Sequence, residues 1–187
     1  MENESTILNL PEGEFEVKVL SFNEDDRSKL SSIYFEWRNL CNNLNSIGAR
    51  GVNLPEGLSE SAFCLEMNCF RITQGISGAN TSFDAYDPKS NSRIQVKACS
   101  VIPDLTSFGP KSVWDKLFFL DFYRDGNWDG LFDIYHIENH LIYNHKVNSK
   151  QTFRDQQNEK RRPRFSIYSE IIKARNIKPL KTGSLKV

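Results

Sequence analysis

An almost unbroken apolar run, KLFFLDFY at residues 116–123, limits this chain to folds that contain a well-covered β-sheet. Side chains alternate between the two faces of a strand, so a strand of this composition must be buried on both faces. Strand-like patterns also occur in EFEVKVLSF, residues 14–22, and in LFDIYHI, residues 131–137. We therefore expect a sheet with further structure packed on each side.

Helical spacing of apolar residues supplies these outer layers. Residues 25–47 place apolar side chains three and four positions apart, which predicts a helix that lies on a core. Residues 54–72 and 165–177 show similar patterns, whereas LIYNHKV, residues 141–147, is predicted as another strand. The order of these elements predicts an α/β or α+β sandwich around a mixed sheet.

The composition is that of an ordinary globular protein and excludes several other classes. The chain has 187 residues, of which 39% are hydrophobic and 12% aromatic, and no apolar run approaches the roughly 20 residues that span a bilayer. The N-terminus lacks the features of a signal peptide, so we expect a cytoplasmic protein that does not act at a membrane. The four cysteines lack CxxC spacing, and a zinc site is not expected.

A net charge of zero hides a strong asymmetry along the chain. From Lys146 onward there are 12 basic and three acidic residues, a balance of +9, so residues 1–145 carry −9. Basic segments of this kind usually bind phosphate or an acidic surface. We expect residues 1–25 to form an acidic extension, frayed at its start, with the first strand. Residues 26–178 would form the single domain, and residues 179–187 a basic tail.

The hairpin predicted at residues 82–100, SFDAYDPKSNSRIQVKACS, gathers three polar side chains. Asp84 lies near the end of its first strand, and Gln95 and Lys97 project to one side of the second, where Asp84 could meet them. Carboxylates at diverging strands commonly hold Mg²⁺, and a lysine beside them can orient water and offset charge on a phosphate. These groups suit phosphodiester hydrolysis, although turn chemistry and a solvated strand face explain the same residues.

Several blocks of the sequence resemble a known group of nucleases. Asp84 followed by Gln95-Val96-Lys97 resembles the PD-(D/E)xK signature. The blocks RGVNLPEGLSE, DLTSFGP with the strand KLFFLDF after it, and RRPRFSI resemble the small type II restriction endonucleases that cut GCNGC-type sites. This similarity extends from about residue 30 to 178 and leaves out the first 25 residues.

The resemblance implies a Mg²⁺-dependent DNA endonuclease, with Mn²⁺ as a possible substitute, built on a restriction-endonuclease-like mixed central sheet flanked by helices. Asp84 would be the metal-binding carboxylate and Lys97 the catalytic lysine. Glu60 would add a metal ligand or hold a water beside the metal, and Glu56 is the alternative. Either glutamate could instead interact only with the dipole of the helix that it begins.

Gln95 departs from the nuclease pattern, which has Asp or Glu at this position. It remains a predicted catalytic residue and metal ligand, but an amide oxygen ligates Mg²⁺ without contributing charge, so metal affinity should fall. Either the natural enzyme tolerates Gln95, with Asp84, Glu60 and Asp87 carrying the negative charge, or the chain is inactivated at this position.

A type II enzyme that cuts a short palindrome is most simply a homodimer with one active site per strand of double-stranded DNA. Guanine binds arginine in two hydrogen bonds in the major groove, so we expect a recognition segment in the basic residues 150–165, with Arg162 and Arg164 favoured for base contacts. A solvated basic face and a purely structural loop are the alternatives. The predicted DNA-contacting residues are Arg154, Gln157, Arg161, Arg162, Arg164, Thr106, Ser107 and Lys111.

The leading hypothesis from the sequence is a Mg²⁺-dependent type II restriction endonuclease with a short G/C-containing target. One alternative is a repair-type nuclease on the same scaffold, which would leave no discrete bands on plasmid DNA. The other is a DNA-binding protein with an inactivated nuclease site, for which Gln95 is the main argument.

Overall fold

The computed structural model describes residues 1–187 as one large sheet with helices on both faces. The strands are β1 (Glu2–Leu10), β2 (Gly13–Ser21), β3 (Phe70–Arg71), β4 (Ala85–Asp87), β5 (Ser92–Cys99), β6 (Thr106–Ser107), β7 (Lys116–Asp121), β8 (Leu131–Ile137), β9 (Arg164–Phe165) and β10 (Lys181–Ser184). The helices are α1 (Arg27–Ser46), α2 (Glu56–Met67), α3 (Asn139–Tyr143) and α4 (Phe153–Asn158), with 3₁₀ turns at Glu24–Asp26 and Arg124–Gly126 and a π-helical segment at Tyr168–Lys173.

The main sheet has eight strands in the order β1-β2-β3-β4-β5-β7-β8-β10. Strands β5 and β7 pair in parallel, and every other neighbouring pair is antiparallel. The sheet is therefore mixed, as the sequence predicts. β6 and β9 form a separate two-stranded ribbon.

Two apolar layers cover the central strands, one on each face. Helices α1 and α2 pack on one face around a cluster that includes Phe63, Phe118 and Leu120. On the other face Leu117 and Phe119 pack with residues of α3, α4 and the π-helical segment. The continuous burial of β7 from Leu117 to Asp121 confirms the prediction made from KLFFLDFY. The mixed sheet with helices on both faces confirms the restriction-endonuclease-like fold class.

Helix α1 shows how the sequence sets the limits of an element. Asn23 and Asp26 form a reciprocal capping box just before it, and Gly48, with φ of 75°, follows its end. Its inner side chains, among them Tyr34 and Trp37, are buried as predicted. No helix of the structure is both long and apolar enough to cross a lipid bilayer.

Helix α2 is shorter than its sequence pattern suggests. The pattern extends to Ile72, but the helix ends at Met67, because Asn68 adopts a left-handed conformation with φ of 53°. The chain then turns into the short strand β3, which pairs with both β2 and β4. This turn brings Arg71 back toward α2.

The expectation of a frayed N-terminus is wrong. Strand β1 pairs with β2 along its whole length, from Glu2 opposite Ser21 to Leu10 opposite Gly13. The hydroxyl of Tyr86 in β4 also bonds to the backbone of Asn9. The apolar inner face of the hairpin thereby gains a core of its own, which local sequence pattern alone does not show.

The C-terminal segment also enters the main sheet. Strand β10 pairs with β8, and Leu185 after it is fully buried in the core that α1 and α2 cover. The division of the chain at residues 25 and 178 remains an interpretation of the sequence. In the structure both outer segments contribute strands to one sheet.

The prediction of a strand at LIYNHKV, residues 141–147, is wrong. The first part of this segment belongs to α3, in which Ile142 is buried and the ring of Tyr143 stacks on Trp114 with centroids 5.5 Å apart. Short apolar runs fit a buried helix as well as a strand, so periodicity does not separate the two. In this segment the helical conformation places the Tyr143 ring in contact with Trp114.

Candidate active site

Asp84 lies directly before β4, where this strand and β5 begin to diverge. The pairing of Ala85 with Ile94 continues so that Asp84 lies opposite Gln95, and the Asp84 backbone N–H donates to the Ile94 carbonyl at 2.9 Å. The Val96 backbone N–H donates to Asp84 Oδ2 at 2.8 Å, and the Gln95 side-chain amide donates to the same oxygen. The hairpin thus brings Asp84 and Gln95 into contact, as the alternation of side chains predicts.

Asp84 and Lys97 line the same cavity, which has a volume of about 490 Å³. Its walls come from two stretches of chain, residues 50–60 and residues 96–107, with Asp84 between them. Glu56 and Glu60 of α2 also line it. The fold therefore brings the lysine of β5 to one cavity with Asp84 and with two glutamates of α2, which lie far from it in sequence.

The carboxyl group of Asp84 is held in an unusual electrostatic state. Its pKa is raised to about 7, mainly by burial and also by the charge of Glu60, whereas the charge of Lys97 acts to lower it. The hydrogen bond from the Val96 N–H lowers it. Such a group gains most from a cation that stabilises its charged form.

Glu60 is fixed by an ion pair. Arg71 Nε in β3 donates to Glu60 Oε2 at 2.8 Å, and Arg71 Nη2 lies 2.8 Å from the same oxygen in an ion pair. Burial raises the pKa of Glu60 and the contact with Arg71 lowers it, with a net increase. Glu56, one turn earlier in α2, is exposed.

Asp87, the further acidic residue considered from the sequence, lies outside the cavity. Its carboxylate accepts hydrogen bonds from Lys116 Nζ at 3.1 Å and from the Ser90 hydroxyl at 2.5 Å. These contacts stabilise the turn between β4 and β5, so Asp87 does not add a carboxylate to the cavity.

The side chain of Gln95 is only 3% exposed, and its Oε1 atom has no hydrogen-bond partner. A buried polar atom without a partner is costly and requires a physical explanation. No group of three or more His, Cys, Asp or Glu side chains is arranged to hold a metal ion. A cation beside Asp84 is one group that would satisfy this free amide oxygen.

The ammonium group of Lys97 is not paired with a carboxylate. It lies 5.6 Å from the ring centroid of Phe108, a fully buried residue that follows β6. Lys97 is partly exposed toward the cavity. Its charge is therefore available to a ligand that enters there.

The two segments predicted to contact DNA meet in one ribbon. Thr106 and Ser107 of β6 pair with Phe165 and Arg164 of β9, and the Phe108 N–H donates to the Pro163 carbonyl at 3.1 Å. Because Thr106 and Ser107 line the cavity, this ribbon connects the cavity wall to the basic segment.

Some of the predicted DNA-contacting residues are free and others have partners within the protein. Arg162, Arg164 and Lys111 are exposed and their side chains make no ion pair. Arg161 pairs with Glu159 at 3.2 Å. Free arginines at the surface can reach a nucleic acid without first breaking an ion pair.

Of the remaining four residues, Ser107 has a buried hydroxyl without a hydrogen-bond partner, and the other three support local structure. Arg154 lies over the ring of Tyr143 at 4.8 Å, and Gln157 donates to the Ser112 carbonyl at 3.1 Å. The hydroxyl of Thr106 donates to Asp104 Oδ2 at 2.8 Å. These side chains would have to exchange their present contacts in order to bind DNA.

Asp104 begins the block DLTSFGP, but no role is predicted for it from the sequence; it is buried and lines the cavity. Its carboxylate accepts hydrogen bonds from Thr106, the Ser166 hydroxyl and the backbone N–H groups of Ile167 and Tyr168. It joins the loop after β5 to the start of the π-helical segment. Its partners are distant in sequence; Ser166, for example, is 62 residues away. A local sequence pattern therefore could not reveal its role.

The mixed sheet covered by helices, with Asp84 and Lys97 of one hairpin facing a cavity, defines a restriction-endonuclease-like enzyme. The model of the Bsp6I restriction endonuclease family matches residues 22–174. The type II restriction enzyme Bsp6I of Bacillus sp. (strain RFL6) is 36% identical over 156 residues, which cover 82% of this chain and 84% of that enzyme. The chain therefore belongs to the Bsp6I restriction endonuclease family, a family of site-specific deoxyribonucleases. None of the solved structures matches the chain.

Proposed function

We propose that the protein is a Mg²⁺-dependent type II restriction endonuclease that hydrolyses double-stranded DNA at a short G/C-containing palindrome of the GCNGC type. The observation that carries this proposal is the common cavity of Asp84 and Lys97, which lies within the region matched to the restriction endonuclease family. An acidic residue and a lysine at one cavity are the groups that phosphodiester hydrolysis needs.

The donor atoms at this cavity fit a hard divalent cation. Asp84 and Glu60, which line the cavity, would hold Mg²⁺ together with the free Oε1 of Gln95, a residue that contacts Asp84 but does not line the cavity. Glu56 is the alternative to Glu60, and Mn²⁺ would be a substitute ion. When bound, the cation supplies Lewis acidity that activates the attacking water and stabilises the leaving oxygen. The raised pKa of Asp84 supports this assignment, because a neighbouring cation would offset the cost of ionising a buried carboxyl.

The side chains of the protein would then orient the reactants. Lys97, whose ammonium has no carboxylate partner, would hold the attacking water and offset negative charge on the phosphate. Arg71 would keep the Glu60 carboxylate fixed in the cavity wall. Direct in-line attack of water would invert the configuration at phosphorus.

DNA recognition would come from the β6–β9 ribbon and from the basic residues 150–163, which come directly before β9. Arg162 and Arg164 would contact guanine edges, while Ser107 and Lys111 would contact the backbone. Arg154, Gln157, Arg161 and Thr106 would join them only after exchange of their present contacts. We further propose a twofold homodimer, with one active site for each DNA strand, that acts in the cytoplasm.

A specific observation favours a second candidate function, a sequence-specific DNA-binding protein with an inactive nuclease site. Gln95 stands where the nuclease signature has an acid, and the cavity lacks a three-carboxylate metal cluster. Such a protein would bind DNA with strong salt dependence and would not cut it.

Cleavage of phage DNA in Mg²⁺, followed by sequencing of the fragment ends, tests the proposal. We expect discrete fragments whose ends share one G/C-containing site. D84A and K97A should each lower the cleavage rate by about 10²-fold or more, because D84A removes a ligand of the cation and K97A removes the positive charge beside the reacting phosphate. K89A, at an exposed lysine of the same hairpin, should retain the rate.

Three results would contradict the proposal in different ways. Cleavage that survives both D84A and K97A would show that the active site lies elsewhere. Fragments without common ends would indicate a repair-type nuclease. Salt-sensitive binding with no cleavage in Mg²⁺ or Mn²⁺, even in the Q95E variant, would favour the second candidate.

A further inference from the structure

Arg50 is a second cationic side chain at the cavity, and neither the sequence pattern nor the nuclease signature assigns it a role. It lies in the loop between α1 and α2, it is exposed, and it lines the same cavity as Asp84 and Lys97. Its guanidinium makes no ion pair and no hydrogen bond with another residue. Arg71, by contrast, is occupied by Glu60.

The backbone that carries Arg50 is held firmly by α1. Trp37 Nε1 donates to the Val52 carbonyl at 3.0 Å, and Cys41 Sγ donates to the same oxygen at 3.3 Å. Gly51 packs so closely on Cys41 that an added Cβ would lie 3.3 Å from its sulfur. The loop therefore presents Arg50 from a defined place while its side chain stays free.

The charges that line the cavity suggest that this free guanidinium binds phosphate. The lining contains four carboxylates, those of Glu56, Glu60, Asp84 and Asp104, and its cations are Lys97 and Arg50. A DNA backbone that approaches this wall meets more negative than positive charge. A guanidinium binds phosphate oxygens with paired hydrogen bonds, so Arg50 is well suited to offset that repulsion.

We infer that Arg50 binds a phosphate of the DNA backbone beside the active-site cavity and so positions the substrate without reading its sequence. This inference rests on the proposed function, because it takes DNA as the ligand of the cavity. The loop before α2 would then hold the DNA backbone at one wall of the cavity. The β6–β9 ribbon, which includes Thr106 and Ser107 of the other wall, would contact the bases.

Binding measured in EDTA, where no metal-dependent cleavage can occur, tests the inference. Two duplexes of equal length, one with a GCNGC site and one without, are titrated with protein over a range of salt concentrations. Each lost phosphate contact should reduce the slope of log K against log salt by about 0.9, or about 1.8 for a dimer with two copies. R50A should show this reduction and weaker binding to both duplexes in the same proportion, whereas R50K should keep most of the slope.

K18A is the matched control, because it removes one exposed positive charge from the N-terminal hairpin, outside the cavity. It should leave the salt slope unchanged. A wild-type slope in R50A, or an equal reduction in K18A, would overturn the inference. Weaker binding of R50A to the GCNGC duplex alone would also overturn the inference, because it would mean that Arg50 contacts bases of the target site.

The outcome is separable from the test of the proposed function. Cleavage of phage DNA by the wild-type protein, with its loss in D84A, can stand even if R50A binds normally. Thermal unfolding of R50A should match the wild type, since the side chain is exposed and unpaired. If it does not, R50Q, which also removes the charge but keeps a long polar side chain, replaces R50A in the comparison of slopes with R50K.

Discussion

The amide side chain of Gln95 determines how much negative charge lies beside Asp84. Its amide donates to Asp84, while its Oε1 atom is buried without a partner. In the absence of a cation an amide is compatible with the buried carboxyl of Asp84, whose pKa burial raises to about 7. A carboxylate at position 95 would instead face a like charge, and only a cation could relieve the repulsion.

Substitution Q95E should therefore make the stability of the protein depend on metal. In EDTA at neutral pH we expect a lower melting temperature than that of the wild type, and a larger rise on addition of Mg²⁺, because the new carboxylate contacts Asp84. Thermal unfolding with and without Mg²⁺ measures both effects. Q74E, an exposed substitution with the same change in charge, should show neither.

The same Q95E variant separates the two explanations of Gln95. A large gain in Mg²⁺-dependent cleavage would mean that the chain is inactivated at this position, and a loss would mean that the natural enzyme uses the amide. A Q95E protein that is more stable than the wild type in EDTA would contradict the contact between residues 95 and 84.

At the scale of elements, Glu66 near the end of α2 joins three parts of the fold. Its side chain is 6% exposed and pairs with Arg27 of α1 at 2.7 Å and with Lys181 of β10 at 2.6 Å. The Ser184 N–H of β10 also donates to it at 3.3 Å. This carboxylate therefore connects both helices of one layer to the last strand of the sheet.

The pH dependence of stability should report on Glu66. Burial raises its pKa, but hydrogen bonds from Lys181 and Arg27 outweigh this effect, so its folded-state pKa lies below the ordinary 4.5. Its contribution is then complete above about pH 4.5 and is lost as the pH falls through the lowered value. E66Q should lower the free energy of unfolding at pH 7 by about 1–3 kcal/mol and flatten the acid limb of the stability curve.

Urea unfolding between pH 3 and pH 7 measures this effect. E16Q, at an exposed glutamate without an ion pair, should leave both the stability and its acid limb close to those of the wild type. An unchanged acid limb in E66Q would show that the ion pairs of Glu66 do not contribute to folding.

At the scale of the molecule, the sheet extends past both ends of the region shared with the family. The family match covers residues 22–174, which leaves β1, β2 and β10 outside it, yet all three are strands of the main sheet. Leu185 after β10 is fully buried in the core shared by α1 and α2. The last residues of this chain are therefore part of its folding unit.

Truncation of a side chain near the C-terminus tests this conclusion. L185A should lower the free energy of unfolding by about 2–5 kcal/mol, because it removes buried methyl groups and leaves a cavity between the sheet and α1. V187A, two residues later and 89% exposed, should change it little. Equal stabilities of L185A and V187A in urea unfolding would mean that the end of the chain does not pack on the core.

The sequence by itself determined the features that depend on local periodicity. The apolar run at 116–123 required a sheet covered on both faces, and the helical spacing after Asn23 required α1. Because side chains alternate along a strand, the hairpin also brought Asp84 opposite Gln95 with Lys97 on the same side, without any information from the rest of the chain.

Only the tertiary structure decided which distant segments meet. The ion pair of Glu60 with Arg71, the position of Arg50 at the cavity and the union of residues 106–107 with 164–165 in one ribbon all join parts that no local pattern connects. The same is true of the helix at Asn139–Tyr143 and of β10, whose short sequences are compatible with several conformations. Backbone geometry sets the spacing at which side chains of one helix or strand share a face, and the sequence shows this spacing directly. A short segment fits more than one conformation, and its packing against other elements decides which one it adopts.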